Sequence, residues 1–434
     1  MNDITLDNKV MDEKSQLECL RLISDGSGIG YMNGIATFVP GLLPGEIGEV
    51  EVYDAKKKWQ RARLLKIIKR SPQRIDAPCS VYEGCGGCQL QHTTYEETLV
   101  WKQRWVEDAL SRIGKINVEV KPTIGMSDPW RYRNKARLHR EATGQLGYFK
   151  EKSKELVQFS DCLLLSERMN RWIRLTEEFL TDGFEEIHTV TFRENTRGEG
   201  LLLLEGPPTK ALSGEDNPEF FATLFEQGVR SVWGTDLDGN LALVWGEEAF
   251  SQTILDMNFD VSPLSFLQVN PLQTDVLYAQ VLEGAALTGD EVVWDLYSGI
   301  GTLALALASK AQKVTGIEEN PYAVEDAIQN AVNNNAVGHV EFLKGKVESR
   351  MMKIDEQPDV VVLDPPRTGM HQLVVQRLIE LKPQRIIYVS CDPGTLARDL
   401  GALTQGGYEV ESVQPVDMFP WTMHVETIVR INLA

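Results

Sequence analysis

From residue 258 to its end the chain alternates apolar runs of strand length with segments of helical periodicity, and this alternation constrains the fold more than any other feature. "EVVWDLYSGIGTLALALASK" reads as strand, glycine turn and helix, and "KVTGIEENPYAVEDAIQNAVNNN" repeats strand and helix. "PDVVVLDPPRTGM", "PQRIIYVSCDPGTLARDL" and "HVETIVRINL" continue the series. Runs rich in Val, Ile and Leu suit strands covered on both faces, with the intervening helices making the crossovers. The expectation is an α/β protein with a doubly wound, Rossmann-like domain over 258–434. Ligands of such sheets lie beyond the carboxyl ends of the strands.

A chain of 434 residues is too long for one ordinary core, so other domains are expected before it. Residues 1–70 carry short β-prone runs, Ile35 to Val39 and Ile47 to Val52, broken by Gly and Pro turns, which suits an OB-like barrel. Residues 71–257 read as a central α+β domain that opens on a loop rich in Cys and Gly. Within it, a helix is expected over 95–114, with Leu99, Val100, Val106, Ala109, Leu110 and Ile113 on its apolar face, and it is a candidate to pack on the C-terminal domain. "LSGEDNPE", around residue 214, reads as a surface loop.

The net charge of -19 argues against a nucleic-acid partner at first sight, but the distribution argues for one. Lys56 to Arg74 holds nine basic residues and no acid, and Arg131 to Arg140 holds five more together with His139. Arg131, Arg133, Lys135 and Arg137 are therefore candidate RNA contacts; the plain alternative is one charged strand face. No apolar run approaches the ~18 residues of a membrane span, and the polar start lacks a secretory pattern. A cytoplasmic monomer with no membrane partner is expected.

"VVLDPPR", Val361 to Arg367, is an apolar run stopped by an acid and two prolines. Prolines at that point either just end the strand or stiffen a loop so that Asp364 and Arg367 face a ligand. The glycine turn after Asp295 sharpens the choice. Gly299, Gly301 and Ala304 satisfy the dinucleotide pattern G-x-G-x-x-A, and Glu318 follows Gly299 by 19 residues. Asp295 and Asp364 at the same edge would repel a pyrophosphate but suit the ammonium and sulfonium of S-adenosylmethionine. That cofactor is preferred, with a nicotinamide as the alternative. Cys391 follows a strand and precedes a helix opened by "DPGT", where helix amides favour a thiolate.

Cys79, Cys85 and Cys88 are spaced C-x5-C-x2-C, and Cys162 completes a possible four-sulfur site. Such a set fits zinc or a [4Fe-4S] cluster, and spacing alone does not choose. Cys19 is left for the barrel core.

"SFLQVN", "DLYSGIGTLAL", "LDPPRTG", "VSCDPGTLARDL" and "DMFPWTMHVE", in this order, resemble the RNA uracil-5-methyltransferase family. The N-terminal segment is similar to its TRAM domain and the cysteines to its iron-sulfur site, a combination nearest the ribosomal RNA branch. The resemblance implies an enzyme forming 5-methyluridine in 23S ribosomal RNA, with S-adenosylmethionine and a [4Fe-4S] cluster on Cys79, Cys85, Cys88 and Cys162. It implies Cys391 as the nucleophile that adds to uracil carbon 6 and Glu426 as the base. Gln268, Tyr297, Glu318 and Asp364 match its cofactor contacts, beside Asp295, Gly299 and Gly301 in the glycine turn. The pattern departs from the family around Trp421 and Met423 and at Lys346, where an acid or amide is usual. In methyltransferases of exocyclic amines an aromatic follows Asp-Pro-Pro; here Arg367 does, as suits capture by covalent bond instead of stacking. The competing readings are a transfer RNA uracil-5-methyltransferase, a nicotinamide oxidoreductase and a non-catalytic RNA-binding assembly factor.

Overall fold

The computed structural model describes residues 14–181, 184–206, 217–235, 238 and 240–434. The loop expected at 212–219 lies outside them except for its end, where Pro218 opens a helix. The polar start lies outside them up to residue 13.

Six strands come first: β1 (Ser15–Glu18), β2 (Arg21–Leu22), β3 (Ser27–Met32), β4 (Ile35–Pro40), β5 (Ile47–Ala55) and β6 (Trp59–Lys69). They form one sheet in the order β1-β5-β6-β4-β3-β2. Because β1 pairs with β5 and β2 with β3, the single segment from Ser15 to Leu22 touches both ends of the sheet and curls it on itself. Leu17, Cys19, Val39, Leu42, Val50 and Ala62 fill the inside. Most of the basic run on β6 and its flanks is exposed. Arg61 is half-buried, and so is Arg74. The Arg74 guanidinium grips the fully buried carboxylate of Glu46 at 2.6 and 2.7 Å and fastens the sheet to the segment that follows.

The central sheet has the order β13-β12-β11-β10-β7-β8-β9. Its strands are β7 (Lys135–Arg140), β8 (Leu146–Phe149), β9 (Leu156–Gln158), β10 (Thr189–Glu194), β11 (Gly200–Glu205), β12 (Val229–Thr235) and β13 (Leu241–Gly246). Trp172 of α2 (Glu167–Thr181) and Phe221 of α3 (Pro218–Glu226) cover it through Phe192 and Leu204. A hairpin, β14 (Ser251–Ile254) with β15 (Met257–Asp260), leads to the last sheet.

That sheet has the order β18-β17-β16-β19-β20-β22-β21. β16 (Val292–Leu296), β17 (Lys313–Glu318), β18 (Val340–Lys344), β19 (Val360–Leu363) and β20 (Arg385–Ser390) are parallel, and β22 (Glu426–Leu433) runs antiparallel between β20 and β21 (Tyr408–Val416). One face is covered by α4 (Pro271–Ala285), α5 (Thr302–Ala308) and α6 (Pro321–Asn333). The other is covered by α7 (Val347–Arg350), α8 (Gln372–Leu381) and α9 (Pro393–Gln405).

A further helix, α1 (Tyr95–Ala109), joins the second layer from far away in the sequence. Its buried residues are Thr98, Trp101, Lys102, Trp105 and Val106, whereas Val100 and Ile113 are exposed, so the buried face is rotated from the one that aliphatic spacing suggests. Two tryptophans and an internally paired lysine outweigh the smaller aliphatic residues; each large apolar side chain buried contributes about 1.5–3 kcal/mol. The helix widens into a π turn, Leu110–Gly114, and ends at Lys115 in the left-handed region.

Candidate active site

Four strands bring the site together at one edge of the last sheet. Asp295 lies beside Val362 and Leu296 beside Leu363, so the chain leaves β19 at Asp364 next to the β16 turn. β22 runs the other way and therefore starts at this edge with Glu426. Ser390 pairs with Thr427. Carried one residue further, that register sets Cys391 against Glu426, and the carboxylate's charge is felt at the thiol.

The acids are held in an unfavourable setting. Burial first, and then the charge of Asp364, push the Asp295 carboxyl up to about 8. Glu426 is likewise raised to about 8 by burial and by Asp364, while Asp364 is raised to about 7 by burial. Asp295 Oδ2, Ser298 Oγ and Glu426 Oε2 are buried without a hydrogen-bond partner. Orphaned acceptors of this kind mark a place built for a ligand that donates hydrogen bonds or carries positive charge.

The turn after β16 supplies the rest of the pocket. Tyr297, Gly299 and Gly301 all have positive φ, at 66, 54 and 83°. Gly301 is required twice over, because a Cβ there would also stand 2.6 Å from the ring of Phe342. At Gly299 a Cβ would meet open space, so the turn presents bare backbone to the pocket. Glu318, at the end of β17, accepts from Gly299 N at 3.0 Å and from Asn320 N at 2.7 Å. Gln268 is buried two residues before Asn270, which caps α4.

Cys391 is partly buried between β20 and α9. A backbone amide lowers its pKa only as the smallest of the influences on it. Burial, then Glu426 and Asp364, push the thiol up to about 12 against the opposing charge of Arg367. One reason is local: Asp392 already caps α9, accepting from Thr395 N at 2.8 Å.

Beside Cys391 opens a cleft of about 440 Å³ that three parts of the chain share. Arg367 and His424 line it from the sheet edge, Trp105 and Arg112 from α1 and its π turn, and Arg21 from β2. Asp108 holds both outer arginines, at 2.5 Å from Arg21 and 3.1 Å from Arg112. His424 stands 3.4 Å from Arg367, and burial followed by the charges of Arg367 and Lys102 pulls its pKa down to about 4. Arg21, Arg112 and His424 were not legible as site residues, because nothing local marks them; only packing brings them to Cys391.

The basic strand residues are largely occupied within the chain. Arg131 forks onto Asp161 at 2.7 Å through both nitrogens and also donates to the carbonyls of Cys162 and Leu165. Arg133 donates from Nε to the Lys135 carbonyl, and its charge reaches His424. Lys135 is pulled down to about 8, by burial first. Arg137 is exposed and paired with Glu205 at 3.0 and 3.1 Å.

Cys79, Cys85, Cys88 and Cys162 are all partly buried and free. Burial and the charges of the other three raise the Cys88 thiol to about 12. Gly87 N donates to Cys85 Sγ at 3.4 Å. Among the described residues no three His, Cys, Asp or Glu side chains lie close enough together to hold a single metal ion. Nor is any helix among them long and apolar enough to cross a membrane.

The model of the tRNA (Uracil-5-)-methyltransferase family matches residues 255–433. An RNA methyltransferase of Halalkalibacterium halodurans is 41% identical to the chain, covering 95% of each. One of Listeria innocua is 38% identical, covering 95% of this chain and 96% of its own. The crystal structure of the Pyrococcus abyssi tRNA (uracil-54, C5)-methyltransferase, in complex with S-adenosyl-L-homocysteine, superposes with a TM-score of 0.77 at 26% identity. It covers 96% of this chain and 100% of its own.

Proposed function

The chain belongs to the RNA uracil-5-methyltransferase family, and from that premise we propose that it forms 5-methyluridine in large-subunit ribosomal RNA through a covalent bond to Cys391. The observation that carries this reading is the register that sets Cys391 against Glu426 at the edge where Asp295 and Asp364 also end.

S-adenosylmethionine fits the pocket on the evidence of its orphaned groups. Asp295 Oδ2 and Ser298 Oγ want a donor, and the acids around them want positive charge. Asp295, Gln268 and the Tyr297–Gly301 turn would hold the amino-acid end, Glu318 the ribose diol, and Asp364 the side facing the uracil. Bound there, the cofactor supplies an electrophilic methyl group on a sulfonium.

The chain's own residues handle the rest. Uracil carbon 5 is a weak nucleophile until carbon 6 is attacked. The Cys391 thiolate forms the carbon 6–sulfur bond and drives an electron pair into an enolate, so that carbon 5 can take the methyl. Glu426 then removes the hydrogen from carbon 5, the carbon 5–carbon 6 double bond reforms, and the thiolate leaves. Arg367 is the cation facing the thiol and lowers the cost of ionising it. A uridine in folded RNA must be splayed out to reach Cys391.

Residues 1–70 are read as a TRAM-type RNA module, 71–257 as the central domain and 258–434 as the methyltransferase domain. Arg133, just before β7, and Arg137 on that strand remain the RNA contacts of choice. Cys79, Cys85, Cys88 and Cys162 are proposed to hold a [4Fe-4S] cluster. The four thiols share one electrostatic neighbourhood, and a backbone N–H on the Cys85 sulfur is the hydrogen bond such thiolates accept.

Transfer RNA is the second reading. It is favoured by the Pyrococcus abyssi enzyme, a tRNA (uracil-54, C5)-methyltransferase that aligns over 96% of this chain. Purified protein given labelled S-adenosylmethionine with unmodified ribosomal RNA or transfer RNA distinguishes the two. Transfer to neither overturns the reading, as does a 5-fluorouridine RNA adduct that maps to a peptide without Cys391.

A further inference from the structure

The turn that delivers Glu426 is held by the loop that carries the cysteines. Gln89 and Leu90, the two residues after Cys88, both donate their backbone N–H groups to the Trp421 carbonyl, each at 3.0 Å. The Gln89 side chain accepts from Met423 N at 3.3 Å and donates to the Gly86 carbonyl at 2.9 Å, inside the cysteine loop itself. One side chain therefore bridges the sulfur loop and the residue three before Glu426.

Trp421 makes the second link. Its φ is +67°, a region a bulky side chain adopts only where its surroundings compel it. The ring is buried against Tyr132 and Leu164, with Cys88 and Cys162 packed into the same cluster, and it stacks on Trp130 at 4.5 Å. Its Nε1 donates to the Pro129 carbonyl at 3.1 Å. The turn continues from Thr422 Oγ1 to His424 N at 3.2 Å and then enters β22. The cysteine region thus touches the turn that leads to Glu426 through Trp421 and Gln89.

We infer that Gln89 and Trp421 are positioning residues through which the four-cysteine site sets the place of Glu426, so that release of the methylated uracil, and not its capture, depends on that site. The inference rests on the reading of Cys391 and Glu426 given above. Capture needs only the carbon 6–sulfur bond. Release needs a carboxylate aimed at the carbon 5 hydrogen: as it takes the proton, the carbon 5–hydrogen electron pair becomes the carbon 5–carbon 6 double bond and the carbon 6–sulfur pair departs with the thiolate. A small displacement of the turn harms the second step alone.

Gln89→Ala removes the acceptor of Met423 N, and Gln89→Glu keeps it. With RNA and S-adenosylmethionine under single turnover, Gln89→Ala is expected to slow release about tenfold, the scale of one lost hydrogen bond, and to accumulate adduct that survives denaturant. Capture of 5-fluorouridine RNA stays at the wild-type rate, and Gln89→Glu, which keeps the acceptor of Met423 N but loses the donor to the Gly86 carbonyl, restores release only in part. Hydrogen exchange over 421–426 quickens in Gln89→Ala and, equally, in wild type stripped of bound metal by a chelator. Unchanged release in Gln89→Ala, or unchanged exchange on stripping, overturns the inference. If wild type forms neither adduct nor 5-methyluridine, the proposed function fails, while the exchange measurements still decide whether the two sites are coupled.

Discussion

Lys102 and Asp417 form an ion pair whose side chains have no exposed surface, with Nζ 2.5 Å from Oδ1. Nζ also donates to the Phe419 carbonyl at 3.0 Å, and Asp417 Oδ2 accepts from the Tyr95 hydroxyl at 2.8 Å. Helix α1 is thereby fastened to the segment that leads from β21 to Glu426. Burial pulls the Lys102 pKa down, and Asp417 opposes that pull.

Removing one partner leaves the other charge buried alone. Lys102→Met should cost about 3–5 kcal/mol in denaturant unfolding, and Lys102→Met with Asp417→Leu should recover much of the loss. A double variant as unstable as the single would show that the pair contributes by more than charge compensation.

Asp295 is a carboxyl that the fold drives upward. Its folded pKa of about 8 exceeds the unfolded value, so its contribution to stability is complete at low pH and is lost as pH rises toward 8. Asp295→Asn should therefore unfold later than wild type at pH 8, by on the order of 1–3 kcal/mol, with little difference at pH 4. The same change should abolish binding of S-adenosylmethionine in calorimetry.

Glu426 must lose its proton before it can act as a base, and its pKa stands near 8. Release of the product from Cys391 should speed up about tenfold per pH unit below that value and level off above it. Glu426→Gln should capture RNA and hold it as a stable adduct. A pH-independent release rate in wild type would remove Glu426 from the role.

Arg21 and Arg112 share Asp108 at the outer end of the Cys391 cleft. An RNA phosphate entering there competes with Asp108 for both guanidinium groups. Arg112→Glu should weaken RNA binding, and Arg112→Ala should reduce the slope of log affinity against log salt by about 1. Equal salt slopes in wild type and variant would place the strand elsewhere.

The site was legible where its signals are local. Asp295 lies near the end of a strand whose turn holds Gly299 and Gly301, Asp364 follows a second strand and Cys391 a third, so strand-then-turn chemistry pointed to a single edge. Glu426 carries no such signal and entered only through a motif resemblance. Arg131 looked free in the sequence, yet Asp161, thirty positions away, takes its guanidinium. Charge counted along a chain cannot report which charges meet.

The sequence by itself determined the periodic order of strands and helices after residue 258 and the tight turns at their ends, because backbone preference and apolar spacing act over a few residues. The packing of α1 on the last domain was anticipated, but tertiary structure alone decided that its buried face carries Trp101, Lys102 and Trp105 and that Arg21 reaches the Cys391 cleft. Those outcomes depend on burial and on ion pairing between segments hundreds of positions apart, such as Lys102 with Asp417, and no local pattern encodes them.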